Sequence, residues 1–194
     1  MIFNAENKNI KIAADLLIRG KIIAYPTDTL YGMGVDATNT DSIDKLNTSK
    51  GRKSPLSIIV GSIKMLKRYA EVFDSDMRYL NKFLPGKFTF FLNEKHSNIS
   101  NKVTLNTGKI GIRIPDSDFI VNVVNCIDRP VITTSINIHG EKPINDINKI
   151  EHLFSDVNIF TDNTINESNG STIIDLVASN GPKIIRKGDG IFNL

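Results

Sequence analysis

Short apolar runs of strand character alternate with amphipathic helical segments along the whole chain, and that alternation restricts the fold to an α/β layered domain. Ile10, Ala13, Ala14, Leu17 and Ile18 share one helical face, Gly20 stands where a left-handed cap ends a helix, and a strand is predicted over 22–25. Thr40 or Asp41 is placed to cap a helix carrying Ile43 and Leu46, and a strand follows over 57–60. Helices are predicted over 62–71 and 75–84, ended by Pro85-Gly86, then a strand over 88–92 and a polar loop over 94–106. Strands over 110–114 and 131–134 flank a helix over 118–127, and a helix over 147–154 precedes strands over 158–161, 172–176 and 183–186. The economical assembly is a single domain over 1–194, a twisted mixed β-sheet flanked by helices with a concave ligand cleft.

Composition narrows the function mainly by exclusion. With 24 basic against 21 acidic residues, the net charge of +3 is too slight to announce a dedicated nucleic-acid binder. The lone Cys126 excludes an internal disulfide and a cysteine-based zinc site, and its apolar helical neighbours suggest inert packing. That usage fits a reducing compartment, and cytoplasmic location is expected. No run reaches the roughly 20 apolar residues of a spanning helix, so no membrane association is expected. His96, His139 and His152 lack ligand spacing, and no metal cage is expected. There is no Gly-x-x-x-x-Gly-Lys-Ser/Thr phosphate loop, and Gly32-Met33-Gly34 lacks the third glycine of a dinucleotide fingerprint.

What the scaffold does not explain is a set of polar clusters at the ends of the predicted strands. The run Pro26-Thr27-Asp28-Thr29-Leu30-Tyr31-Gly32-Met33-Gly34 follows the first strand, and Lys50-Gly51-Arg52 follows the next helix. Arg113 sits in Ile110-Gly111-Ile112-Arg113-Ile114-Pro115, Thr133-Thr134-Ser135-Ile136-Asn137 ends another strand, and Ser171-Thr172 with Arg186 come late. Guanidinium, ammonium and hydroxyl groups dominate, a lining suited to phosphate and carboxylate ligands. Taken singly, most have ordinary explanations: glycines and Pro26 as turn builders, Lys50 and Arg52 as helix-end charges, Ser135 and Asn137 as turn formers. Arg113 differs, because an Arg inside an apolar run needs either a partner or a wet face.

Five of these motifs, in order, resemble the YrdC (TsaC) type of L-threonylcarbamoyladenylate synthase over nearly the whole chain. They are the Pro26 to Gly34 run, Lys50-Gly51-Arg52, Gly111-Ile112-Arg113-Ile114-Pro115, Thr134-Ser135-Ile136-Asn137 and Ser171-Thr172-Ile173-Ile174-Asp175. The resemblance implies a YrdC-like fold in its short single-domain form. It also implies ATP-dependent condensation of L-threonine with bicarbonate to threonylcarbamoyl-AMP and pyrophosphate, with Mg2+ accompanying ATP. The product would supply tRNA threonylcarbamoyladenosine (t6A) modification through further tRNA-threonylcarbamoyl transferase proteins.

Carried over by position, the resemblance makes Arg113 the fork for the threonine carboxylate, with Thr29, Thr133 and Ser171 shaping the amino-acid pocket. Lys50 and Arg52 are the implied catalytic, phosphate-facing cations, and Lys109, Ser135, Asn137 and Arg186 the further nucleotide-binding residues. The chain departs from the pattern in three places: only Lys53 and Ser54 separate Arg52 from Pro55-Leu56, Ile136 replaces a common Ala, and Lys187 follows Arg186 where Pro is frequent. Two other readings stay open. One is a carbamoyl-phosphate and ATP-dependent enzyme like the YrdC-like module of hydrogenase maturation factors, and the other a non-catalytic RNA-binding protein of the same fold; weak RNA or tRNA binding by the enzyme itself also stays open.

Overall fold

Eleven strands join in one mixed sheet in the computed structural model, which describes residues 1–51, 54–138, 140–162 and 167–193. In chain order the strands are β1 (Ile2–Asn4), β2 (Ile23–Tyr25), β3 (Gly32–Gly34), β4 (Ser57–Ile59), β5 (Ala70–Glu71), β6 (Phe88–Glu94), β7 (Lys109–Arg113), β8 (Val131–Ser135), β9 (Asn158–Thr161), β10 (Thr172–Asp175) and β11 (Lys183–Arg186). They lie side by side as β1-β9-β2-β3-β8-β4-β7-β6-β10-β11, with β5 beside β6. β1 and β2 run parallel to β9, β4 to β7 and β6 to β10, and the remaining pairs are antiparallel. The helices are α1 (Ile10–Ile18), α2 (Thr40–Lys50), α3 (Ile63–Leu66), α4 (Asp74–Phe83), α5 (Asn101–Thr104), α6 (Asp118–Ile127) and α7 (Ile147–Leu153).

Helical periodicity explains the covering layer. Ala13, Ala14 and Leu17 of α1 are buried, as are Phe119, Ile120, Val123 and Val124 of α6, and these two helices pack together. Gly20 ends the first turn of chain as the spacing requires, at φ +71° with its N–H on the Leu17 carbonyl. The central strands read as unbroken apolar runs because both faces are covered: Ile58, Ile59, Val131, Ile132, Ile112 and Phe90 are fully buried. At the far side Phe83, Phe88 and Phe192 form a ring cluster with centroids 4.7 to 6.4 Å apart.

The fold departs from several expectations. The stretch 62–71 is not one helix: Ser62 caps the single turn of α3, and Ala70 and Glu71 instead pair with Glu94 and Asn93, because β6 extends past β10 and offers them a ladder. The cap of α2 is Asn39, one residue earlier than predicted, its side-chain oxygen accepting the Ser42 N–H at 3.1 Å. The loop over 94–106 holds the short α5. Cys126 is exposed, on the face of α6 turned from the core.

Gly32 and Gly34 form a strand rather than a turn, for a steric reason. A Cβ on Gly34 would stand 1.9 Å from the Ile132 carbonyl oxygen, and one on Gly32 would stand 2.6 Å from the Tyr25 ring. Tyr25 is fully buried across these glycines and donates its hydroxyl to the Ile132 carbonyl at 3.1 Å. Burial pushes the Tyr25 hydroxyl above its ordinary titration range, so it remains a donor.

Candidate active site

A hollow of about 450 Å³ lies against the sheet and collects side chains from both halves of the chain. Thr27, Thr29 and Leu30 enter from the β2–β3 turn, Ser57 from β4, Thr89 and Phe91 from β6, and Lys109, Gly111 and Arg113 from β7. Thr133, Thr134 and Ser135 of β8, Ser171 and Ile173 at β10, and Arg186 of β11 complete the wall. Among the described residues lining it there is no carboxylate, and Lys109, Arg113 and Arg186 are its charged groups.

Local structure fixes each group. The Thr27 hydroxyl accepts the Thr29 N–H at 3.1 Å and donates to the Leu30 carbonyl at 2.6 Å, which locks the turn and turns both threonines inward. Tyr31 donates to Asp162 at 3.0 Å and lies 2.8 Å from the Thr161 hydroxyl, tying the same turn to β9. Arg113, only 6% exposed, pairs with Asp28. Burial lowers the proton affinity of that guanidinium and the Asp28 charge opposes the change, leaving it a cation. Arg186 donates through Nη2 and Nε to the Ser171 carbonyl at 2.7 and 3.2 Å, and the Ser171 hydroxyl lies 2.8 Å from that of Thr89. Lys109 reaches Asp175 at 2.8 Å, while the other Asp175 oxygen accepts the Val177 N–H.

Of the sequence-derived candidates, the fold brings Thr29, Lys109, Arg113, Thr133, Ser135, Ser171 and Arg186 to this one hollow. Lys50 and Asn137 do not line it. Lys50, 2% exposed, lies beneath the rim and donates to the Ser135 carbonyl, to the Asn137 carbonyl at 2.9 Å and to Asn137 Oδ1 at 3.0 Å. Asn137 Oδ1 also accepts the Ser135 hydroxyl at 2.8 Å, so the three residues form one knot behind the wall. Arg52, Lys53 and His139 lie outside the described residues. Thr27 belongs to the polar clusters legible in the sequence, whereas Asp28, Thr89, Gly111 and Asp175 carry no individual role there. Thr89 carried a readable signal: a hydroxyl two residues before Phe91 in an apolar strand shares that residue's face.

Residues 15–188 match the Sua5/YciO/YrdC family, described as telomere recombination. The chain belongs to the Sua5/YciO/YrdC family. The threonylcarbamoyl-AMP synthase of Wigglesworthia glossinidia brevipalpis is 30% identical over 193 residues, covering 96% of this chain and 97% of that protein. That of Bacillus subtilis is 32% identical over 157 residues, covering 79% of this chain but 44% of its own length, so the chain spans less than half of that relative. The crystal structure of P. abyssi Sua5 complexed with L-threonine superposes with a TM-score of 0.88 at 26% identity, covering 97% of this chain and 57% of that one. The α/β fold expected from the alternating helical and strand segments and from the YrdC resemblance is therefore borne out. Ile136, where the family motif commonly has Ala, is fully buried, so the larger side chain serves the core rather than the hollow.

Proposed function

We propose that this chain makes L-threonylcarbamoyl-AMP from L-threonine, bicarbonate and ATP, releasing pyrophosphate, and that residues 1–194 do so as one domain in the cytoplasm. The observation that carries the reading is a buried guanidinium, Arg113, facing a carboxylate-free hollow ringed by hydroxyls and two further cations. It is supported by the name of the relative that this chain matches nearly end to end and by the L-threonine in a solved family member.

In this reading the threonine amine takes up carbon dioxide as a carbamate. A carbamate oxygen forms a bond to the α-phosphorus of ATP as the bond to pyrophosphate breaks, and no protein nucleophile is needed. The protein contributes orientation and stabilisation of charge. Arg113 grips the carboxylate, Thr29, Thr133 and Ser171 wall the amino acid, and Lys109, Ser135 and Arg186 face the nucleotide. Lys50 and Asn137 set the Ser135 segment, and Arg52 is assigned to the phosphates from its motif. Magnesium does not fit as a resident ion: no carboxylate lines the hollow, and no group of three His, Cys, Asp or Glu is placed to hold a metal among the described residues. The product would pass to further proteins that modify tRNA.

Pyrophosphate release tests the reading. Release from ATP and bicarbonate should require L-threonine, and carbamoyl phosphate should not replace it. Threonine-independent release with carbamoyl phosphate would overturn the assignment. Tight, salt-sensitive RNA binding without turnover would favour the non-catalytic alternative instead.

Gly111 gives a second check on the hollow. A Cβ there would meet Ser57 Oγ at 2.5 Å and the Phe91 ring at 2.8 Å, so Gly111→Ala pushes both into the ligand space. The expected result is a roughly tenfold rise in KM, about 1.4 kcal/mol, with a melting temperature lowered by roughly 2–8 °C from the overpacking.

A further inference from the structure

The charge of the hollow is balanced from outside it. Arg113 lines the cavity, yet its counter-ion Asp28 does not, although both side chains are less than a tenth exposed. The contact is single-pronged, joining Nη2 to Oδ1. Arg113 Nε and Asp28 Oδ2 are both buried with no hydrogen-bond partner among the described residues. A guanidinium and a carboxylate left to optimise their own contact would meet in a plane through two parallel hydrogen bonds. Here the pair forgoes the second bond and leaves two buried polar atoms unsatisfied, a costly arrangement for a purely structural bridge.

Asp28 is also tied to the rest of the wall. It stands between Thr27 and Thr29, both lining the hollow, in the turn that the Thr27 hydroxyl locks. Its carboxylate therefore links that turn to β7, and the orientation of Arg113 is referenced to the same backbone that presents Thr29. Other charges do not replace it: Arg186, which also lines the hollow, repels Arg113, and Asp189 acts on it without a hydrogen bond.

We propose that Asp28 is a positioning residue for amino-acid recognition, holding one nitrogen of Arg113 from behind the wall so that the rest of the guanidinium is presented to the substrate carboxylate. This inference rests on the threonine reading above. Asp28 touches no substrate and acts through Arg113. It also keeps a cation tolerable at a buried position before the substrate's negative charge arrives.

The test compares the full chain as wild type, Asp28→Ala and Asp28→Asn, measuring KM for L-threonine and for ATP by pyrophosphate release and L-threonine affinity by calorimetry. Asp28→Ala should raise the L-threonine KM at least tenfold and leave the ATP KM within twofold. Asp28→Asn, which keeps an oxygen at Nη2 and loses the charge, should give a rise of roughly threefold in L-threonine KM alone. A merely structural role would lower kcat through a smaller active fraction and leave both KM values unchanged, and that result overturns the proposal. If the alanine variant does not fold, the near-isosteric asparagine variant decides, with a wild-type L-threonine KM counting against the idea. Wild-type protein that binds no L-threonine sinks the substrate reading and this inference together, whereas wild-type binding with unaltered variants sinks this inference alone.

Discussion

Arg113→Lys should lower kcat/KM for L-threonine roughly a hundredfold, about 2.7 kcal/mol of lost transition-state stabilisation, most of it in KM. The charge survives the substitution, so the loss measures geometry. Arg113 has one nitrogen engaged by Asp28 and must offer others to a planar carboxylate, which a guanidinium does and an ammonium, a compact point charge, does not. Lysine is also shorter in reach across a position that is almost fully buried, and it would settle on Asp28. The ATP KM serves as the internal reference and should move little. Initial rates over a range of L-threonine, with a thermal melt to show that the fold persists, check the expectation. An unchanged L-threonine KM would remove Arg113 from the amino-acid site.

Lys50→Met should abolish measurable turnover and also destabilise the protein, by about 3 kcal/mol, or roughly 6–12 °C in melting temperature for a chain of this size. Its ammonium is buried against the Ser135 and Asn137 carbonyls and Asn137 Oδ1, and methionine fills the volume while leaving those acceptors without their donor. The segment following β8 then loses the anchor that sets Ser135 against the hollow. Arg52→Ala makes the instructive contrast, with turnover lost and melting unchanged. Equal melting temperatures for wild type and Lys50→Met would refute the anchoring role.

The sequence was most legible where one element carried one signal. α1, α6 and β7 each bury a contiguous apolar face, and periodicity located them to within a residue or so. It failed where tertiary context decides. Gly32 and Gly34 look like turn residues, and only the Tyr25 ring and the Ile132 carbonyl explain why a strand there must lack side chains. The split of 62–71 into α3 and β5 depends on a pairing edge supplied by β6, about twenty residues on, which no local window sees. The candidate site divides the same way. Thr29, Arg113, Ser171 and Arg186 were marked by polar groups at strand ends, whereas Asp28 and Asp175 matter through the cations they hold, Arg113 and Lys109. A lone acidic residue in a turn or strand carries no mark of which distant base it will meet.

The wall of the hollow spans the chain from Thr27 to Arg186, and β11, which brings Arg186, pairs among the described residues with β10 alone. On the proposed reading, the nucleotide side of the hollow stays open until Arg186 has been synthesised and docked, so ATP handling waits on a strand far along the chain.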